Sequence, residues 1–341
     1  MKEFTLNGKI LEGVGGNYTV RINAPETKFH KETVFCPARG AFRHEGISPL
    51  PGDDVVVTVS LRDEDCPLPV NDPKQTKDGS SAVIAEILPR KNALIRPPMA
   101  NLELLFAVFA SADPEPMPDV IDKLLLIAEQ NEITPVVVIT KSELNPEKAG
   151  ELEEIYRHTP YPVFTLSAVT GEGVAEFSDF VKENLPGKIA AFAGASGIGK
   201  STLMNTLFPH LALPTSAVSQ KIGRGRHTTR KVSLFPIAQI SDLAVENTFL
   251  ADTPGFSMLD FVHFDFFDLE DLPFNFPEFR EHLGTCRYTK CTHLKEDGCS
   301  ILAAVNRGEI APSRHQSYVT LYDILKKKHK WDKPDPYRKG F

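Results

Sequence analysis

The residues from Gly194 to Ser201 read GASGIGKS and match the G-x-x-x-x-G-K-[ST] pattern of a phosphate-binding loop. Glycines at these spacings let successive backbone N–H groups curve round a phosphate. Lys200 brings a positive charge to the β- and γ-oxygens, and the Ser201 hydroxyl can ligate Mg²⁺. An apolar run precedes the loop and a helix-like stretch follows it, as such a site requires. The predicted phosphate-binding residues are Gly194, Ala195, Ser196, Gly197, Ile198, Gly199, Lys200, Ser201 and Thr202.

Two further motifs predict how Mg²⁺ is held. Residues 252–255 read DTPG and match the D-x-x-G pattern, in which Asp252 holds Mg²⁺ through water and the Gly255 N–H meets the γ-phosphate. Thr228 and Thr229 lie in a glycine- and arginine-rich loop, where a switch threonine would complete the metal shell. We expect Mg²⁺ to be bound by Ser201, Asp252 and one of the two threonines.

A third pair of motifs indicates which base is read. Residues 140–143 read TKSE and are similar to the guanine-reading [NT]-K-x-D element, while residues 167–168 are similar to the S-A element whose backbone N–H meets guanine O6. Glu143 is one methylene longer than the usual aspartate, which requires a shifted loop or weakens the grip on guanine. Alternatively, Glu143 is only an early helix residue near a positive helix N-terminus. The predicted guanine-binding residues are Thr140, Lys141, Ser142, Glu143, Ser167 and Ala168.

The order of these motifs is unusual. The base-reading elements come first, followed by the phosphate loop, the switch threonines and the D-x-x-G motif. Cutting the chain near residue 187 and joining Gly255 back to Leu104 restores the ordinary order of a GTPase. The sequence therefore predicts a circular permutation, in which the segment that senses the γ-phosphate leads directly into the C-terminal region. Nucleotide state could then move that region.

Four residues near the C-terminus have the spacing of a metal site. The pattern Cys286-x4-Cys291-x-His293-x5-Cys299 offers three thiolates and one imidazole, a complete tetrahedral shell for one structural Zn²⁺. The alternative is a group of buried free thiols. An odd total of five cysteines fits poorly with a disulfide framework.

The surrounding elements predict three domains: residues 1–90, 91–256 and 257–341. Five short strand-like runs separated by turn signals favour an N-terminal all-β OB-fold barrel. Apolar runs that alternate with helix-like stretches favour a central α/β P-loop domain with a mostly parallel sheet. The last domain is expected to be mostly α-helical and to bind zinc. Residues 94–101, with two consecutive prolines, are predicted to be a linker.

Composition limits the possible locations and partners. Over 341 residues, 41% hydrophobic and 24% charged residues are ordinary for a soluble globular protein. We find no signal-like segment and no apolar run of about 18 residues, so we expect a cytoplasmic protein with no membrane partner. The net charge of −7 disfavours nucleic acid, but residues 281–341 have an excess of lysine and arginine. That basic segment predicts local contact with a polyanion, unless it is only a solvated tail.

The combination of a small barrel, a permuted GTPase region and a Cys/His cluster resembles the bacterial ribosome small subunit-dependent GTPase A (RsgA/YjeQ) family. The resemblance extends to PRKN at residues 89–92, IRPP at 95–98 and GRGRHTTR at 223–230. It implies a GTP hydrolase that binds GTP and GDP, acts late in 30S subunit maturation as a monomer, and contacts 16S rRNA. It also implies slow hydrolysis that the subunit stimulates.

The resemblance also assigns a catalytic residue. Phe256 stands where Ras-type GTPases carry a water-orienting glutamine, and His227 is the family's candidate replacement. Alternatively, His227 is an RNA-facing or merely exposed histidine. Contacts with rRNA are expected from Arg39, Arg43, the arginines of residues 224–230, and Lys326, Lys327, Lys328 and Lys330.

Two other functions remain open at this point. One is a nucleotide-gated RNA-binding assembly module with incidental hydrolysis, and the other is an ATP-dependent enzyme with a zinc domain.

Overall fold

The N-terminal strands form a closed five-stranded barrel in the computed structural model, which describes residues 2–44, 46–62, 67–69, 80–95, 97–211, 232–240, 245–252 and 268–327. β1 pairs antiparallel with both β2 and β4, β2 continues to β3, and β4 continues to β5. A parallel bridge between Ala38 and Ile84 closes the ring. This connectivity confirms the predicted OB-fold. The elements are β1 (Lys2–Val14), β2 (Asn17–Ile22), β3 (Thr33–Pro37), α1 (Ala41–His44), β4 (Asp54–Leu61) and β5 (Ser81–Ile87).

The central region is an α/β sheet, as predicted. Its strands run in the order β10-β9-β8-β11-β13-β12, and all neighbours are parallel except β12 and β13. All seven residues of β8 are buried, because helices cover both faces of the sheet. The strands are β8 (Leu104–Ala110), β9 (Thr134–Thr140), β10 (Val163–Thr165), β11 (Ile189–Ala193), β12 (Ser233–Pro236) and β13 (Phe249–Asp252).

Among the described residues, five α-helices accompany this sheet. None of the helices within the described ranges is long and apolar enough to cross a membrane. α2 and α3 each begin with a proline. Proline has no backbone N–H, and it is tolerated there because an N–H in the first turn of a helix has no intrahelical acceptor. The helices are α2 (Pro118–Gln130), α3 (Pro146–Arg157), α4 (Val174–Asn184), α5 (Lys200–Leu207) and α6 (Ile237–Ile240).

The barrel and the central sheet are joined edge to edge. Glu12 of β1 pairs with Ser233 of β12, so that β1 extends the central sheet while also closing the barrel. The Ser233 hydroxyl donates to Glu12 Oε2 over 3.2 Å. The predicted linker is a small antiparallel hairpin rather than an irregular segment, formed by β6 (Ala93–Leu94) and β7 (Met99–Ala100).

The C-terminal region shares a hydrophobic core with the central domain. Two short 3₁₀ helices (Leu272–Asn275 and Pro277–His282) precede α7 (Ser300–Arg307) and α8 (Pro312–Lys326). Phe276 and Tyr318 from this region belong to the same buried cluster as Leu126 of α2 and Ala191 of β11. The segment that contains the predicted metal ligands therefore rests on the central domain and does not form an independent core.

A buried ion cluster lies between α2 and α8. The Arg314 side chain is 1% exposed, and its guanidinium donates to Asp122 Oδ1 and to Glu278 Oε1, each over 2.7 Å. The Tyr156 hydroxyl donates to the same Asp122 oxygen over 3.0 Å, and the Phe276 ring lies under the guanidinium at 4.8 Å. Burial raises the pKa of Asp122, while the Arg314 charge and the hydrogen bonds to Asp122 oppose that rise. The cluster ties three helical segments together through one cation.

Replacing Arg314 with methionine should destabilise the protein strongly. The Arg314→Met variant leaves Asp122 and Glu278 buried without their cation, and removing one partner of a buried ion pair costs about 3–5 kcal/mol. Urea unfolding followed by circular dichroism measures this loss. The control is Arg157→Met, because Arg157 is 64% exposed and pairs only with surface carboxylates. Its unfolding free energy should change by about 0.5 kcal/mol or less. Equal losses in the two variants would contradict the role of the buried cluster.

Candidate nucleotide site and metal centre

The phosphate loop connects β11 to α5 and passes very close to β8. Gly194 has φ of 147°, and a Cβ there would lie 2.1 Å from the Val108 carbonyl oxygen. Gly199, immediately before α5, has φ of 92°, which is in the left-handed region. Glycine is required at both positions, by close backbone approach at the first and by conformation at the second. The resulting path directs the first N–H groups of α5 toward the site, as anion binding requires.

The Lys200 side chain is held over the phosphate loop by backbone carbonyl groups of that loop. Its ammonium donates to the carbonyl oxygens of Gly194, over 2.8 Å, and Ala195, over 2.5 Å. Burial lowers the pKa of Lys200 to about 8. The charge of this lysine is therefore sensitive to any anion that binds beside it.

Thr140 connects the predicted base-reading segment to the phosphate loop. Its hydroxyl lies 2.6 Å from the Ile198 carbonyl oxygen and 3.1 Å from that of Phe109. Lys141, at φ of 57°, donates through Nζ to the Asp113 carbonyl oxygen. These contacts use both side chains to fix the loops that follow β8, β9 and β11. Thr140 thus positions these loops, and its predicted contact with the nucleotide stays a prediction.

The segment after β9 also contacts the segment after β10. The Leu166 N–H donates to the Ile139 carbonyl oxygen over 2.8 Å, and the Ser142 N–H donates to that of Leu166 over 3.4 Å. Ser167 Oγ accepts from the Thr170 N–H over 3.1 Å, which shapes the turn around Ala168. The two predicted guanine-reading motifs are therefore neighbours at the edge of the sheet where the phosphate loop begins.

Glu143 has an unused acceptor at this edge. Its Oε2 atom is buried and has no hydrogen-bond partner in the described part of the chain, and the same is true of Ser142 Oγ. A buried carboxylate oxygen without a donor is costly, so this atom is suited to accept from a ligand N–H.

Two of the predicted Mg²⁺ ligands lie in described elements, and the other predicted residues of the switch segments lie outside the described residues. Asp252 ends β13, next to β11 in the sheet, and Ser201 lies in the first turn of α5. His227, Thr228, Thr229 and Gly255 lie outside the described residues, as does Phe256.

Two residues of the site were not found from the sequence. Ser111 Oγ donates to the Lys141 carbonyl oxygen over 2.7 Å, and the Asp113 carbonyl accepts from the Lys141 ammonium. Both follow β8 directly. The sequence did contain a signal for these two residues, because both are polar and follow the carboxyl end of β8, the neighbour of β9. The carboxyl ends of parallel strands meet at one edge of the sheet.

The four predicted metal ligands come together. One ligand atom from each of Cys286, Cys291, His293 and Cys299 lies within 4.8 Å of all the others. His293 Nδ1 is 3.6 Å from Cys286 Sγ and 3.5 Å from Cys299 Sγ. Zinc bonds of about 2.3 Å to sulfur and about 2.0 Å to nitrogen in a tetrahedron place S and N about 3.5 Å apart. The donor set and the spacing therefore both fit Zn²⁺.

A second group of residues holds these ligands in place. His315 Nε2 lies 2.8 Å from the His293 carbonyl oxygen, and the Ser300 N–H at the start of α7 points to Cys286 Sγ over 3.4 Å. Glu296 accepts from the Thr292 side chain and from several backbone N–H groups of the ligand loop. Although its partial burial acts in the opposite direction, these hydrogen bonds lower the pKa of Glu296 to about 2. The sequence did not indicate this supporting role of Glu296.

Comparison with known proteins relates both the barrel and the central region to described families. A sequence model described as RsgA GTPase matches residues 87–262, and one described as RsgA N-terminal domain matches residues 7–65. The small ribosomal subunit biogenesis GTPase RsgA of Caldanaerobacter subterraneus subsp. tengcongensis is 38% identical over 326 residues, covering 95% of this chain and 97% of that protein. The corresponding protein of Bacillus anthracis is 35% identical, covering 94% of this chain and 98% of its own.

Solved structures show the same likeness in three dimensions. YjeQ from Thermotoga maritima has a TM-score of 0.72 and 31% identity, over 96% of this chain and all of that one. YloQ, described as a circularly permuted GTPase, has a TM-score of 0.67 and 29% identity, over 96% of each chain. With the permuted order of motifs, the barrel and the Cys/His cluster in place, the chain belongs to the RsgA GTPase family.

Proposed function

We propose that this protein hydrolyses GTP to GDP and phosphate and acts in maturation of the small (30S) ribosomal subunit. It does so as a cytoplasmic monomer that contacts 16S rRNA. The observation that carries the GTP assignment is the buried, unpartnered Glu143 oxygen beside the Ser167-Ala168 turn, at the same edge as the phosphate loop. Family membership and the printed names of the relatives support the ribosomal role.

In this proposal, each motif performs one part of nucleotide binding. The N–H groups of the phosphate loop and the Lys200 ammonium bind the β- and γ-phosphates. Glu143 accepts from the guanine N1–H and N2–H, and the Ala168 N–H donates to guanine O6. Ser201, Asp252 and either Thr228 or Thr229 would hold Mg²⁺, which would neutralise charge on the phosphates, and the Gly255 N–H would meet the γ-phosphate.

His227 positions the attacking water in this proposal. The neighbouring Phe256 side chain has no group that can orient water, so the function passes to the switch-loop histidine. The productive position of His227 forms when the protein contacts 16S rRNA. These contacts are made by the barrel residues Arg39 and Arg43 and by the basic C-terminal residues 326–330. Structural Zn²⁺, held by the three cysteines and His293, stabilises the C-terminal region.

A titration of GTPase activity with 30S subunits tests the proposed function. Hydrolysis should be slow in the protein alone and should rise on addition of 30S subunits. His227→Ala should lose about a hundredfold or more of the stimulated rate, because it removes the water-positioning group. GTP affinity should not change. His210→Ala, a histidine outside the motifs, is the control. If 30S subunits produced no stimulation, the protein would instead be a nucleotide-gated binding module with incidental hydrolysis.

Glu143 should determine the preference for guanine. Glu143→Gln replaces a charged acceptor by an amide, and a hydrogen bond to a charged group contributes about 1.5–3 kcal/mol, so GTP should bind at least tenfold more weakly. ATP affinity should not change. Fluorescence titration with both nucleotides measures the difference, and Glu147→Gln, in the first turn of α3, is the matched control. Equal affinities of the unmodified protein for GTP and ATP would rule out the base-reading assignment.

GTP binding should take up protons above pH 8. The pKa of Lys200 is lowered to about 8 by burial, and a bound phosphate raises it by stabilising the ammonium. The free protein therefore loses this charge as pH rises through 8, while the complex keeps it, and affinity falls with increasing pH. Calorimetry in buffers of different ionisation enthalpy measures the uptake. Uptake that is absent above pH 8, or unchanged in Lys200→Met, would contradict the assignment.

A further inference from the structure

A cavity of about 440 Å³ lies between the barrel and the central sheet, away from the nucleotide site. On the barrel side it is lined by β1, β2 and the start of β4. On the other side it is lined by residues that precede or begin the parallel strands, including Glu103, Gly187 and Thr248. The nucleotide loops follow the carboxyl ends of those strands, so the cavity is at the opposite edge of the sheet. Its volume is within the range of small-molecule sites, which often form between domains.

Two cations face each other on the barrel side of this cavity. Arg21 of β2 is directly opposite Lys9 of β1, and Lys9 is directly opposite Asp54 of β4. Lys9 Nζ is 2.7 Å from Asp54 Oδ1, whereas Arg21 forms no ion pair with any described residue. Like charges directly across a strand pair are destabilising. The half-buried Arg21 guanidinium therefore lies beside a like charge, while the opposite charge that acts on it, Glu246, forms its ion pairs with Lys31 and His30.

The other cations of the cavity have partners. Lys31 pairs with Glu246 and Lys91 pairs with Glu103, each over 2.6 Å. Burial lowers the pKa of Arg21, and the charge of Glu246 opposes that effect. His30 also lines the cavity, and its Nε2 lies 3.7 Å from Glu246 Oε1. The cavity thus contains one guanidinium, that of Arg21, without an ion pair to any described residue.

We propose that this cavity binds a phosphate-bearing small molecule of mononucleotide size, with the Arg21 guanidinium as the main contact of the phosphate. A guanidinium presents parallel N–H donors that match two phosphate oxygens. The site is separate from the phosphate loop and lies beyond the proposed GTPase function. Its ligand would also contact the Glu246 to Phe249 segment, which leads into β13 and hence to Asp252.

The experiment uses the full protein saturated with GDP and Mg²⁺, so that the phosphate loop is already occupied. Inorganic phosphate and adenosine 5′-monophosphate are titrated separately by calorimetry. We expect saturable binding of adenosine monophosphate, at least as tight as that of phosphate. Arg21→Gln should weaken it by about tenfold or more, since it removes a charge-assisted contact. Arg62→Gln removes the same charge from an exposed position at the end of the barrel strand β4 and should have no effect.

The outcomes separate this site from the nucleotide site. Absence of saturable binding, binding of phosphate alone, or equal weakening by Arg21→Gln and Arg62→Gln would each overturn the proposal. Thermal unfolding of each variant verifies that it is folded. If Arg21→Gln does not fold, Arg21→Lys replaces it, because lysine keeps the charge but loses the paired donors and should still weaken binding. GDP saturation is measured first, so failure of the GTPase assignment would be detected independently.

Discussion

The buried Arg314 guanidinium is the constraint on which the position of the C-terminal region depends. It neutralises Asp122 of α2 and Glu278 of the second 3₁₀ helix, and all three side chains are at most 2% exposed. None of these charges has water to replace a lost partner, so the elements that carry them are held in one arrangement. The four predicted metal ligands lie between Glu278 and Arg314 in the chain. The Cys/His cluster and the contact of this region with the central domain are therefore parts of the same local structure.

The barrel is attached through the hairpin of β12 and β13. Ser233 at one end of this hairpin bonds to Glu12, and Glu246 in the turn at the other end pairs with Lys31. The glycine- and arginine-rich loop precedes β12, and the D-x-x-G motif begins at Asp252, the last residue of β13. Both segments that are proposed to sense the γ-phosphate are thus continuous in sequence with strands that contact the barrel or the sheet centre. Any displacement of the hairpin would change its contacts with Glu12 and Lys31 of the barrel.

Much of the fold was predictable because its signals are local. Prolines at positions 118 and 146 begin helices, and alternating buried residues mark the barrel strands. The pairing of β1 with β12 was not predictable, since edge pairing between residues more than two hundred positions apart leaves no periodic pattern. The burial of Arg314 was also missed, because an arginine in a polar helix ordinarily faces water. Motif spacing predicted the phosphate loop and the four residues that the structure brings together in the Cys/His cluster, whereas the positioning contacts of Thr140 became visible only in the structure.

The two interpretations of Glu143 are separated by where α3 begins. Asn145 caps that helix, with its side chain accepting from the Lys148 N–H over 3.0 Å, and the acidic residue of the first turn is Glu147. Glu143 lies two residues before the cap, so it cannot act as an early helical residue that satisfies the helix N-terminus. It lies two residues after Lys141, whose φ of 57° is in the left-handed region, and the intervening Ser142 N–H donates to the Leu166 carbonyl oxygen. A side chain one methylene longer than aspartate is thereby placed with one oxygen buried and unbonded, which favours a ligand contact over a capping role.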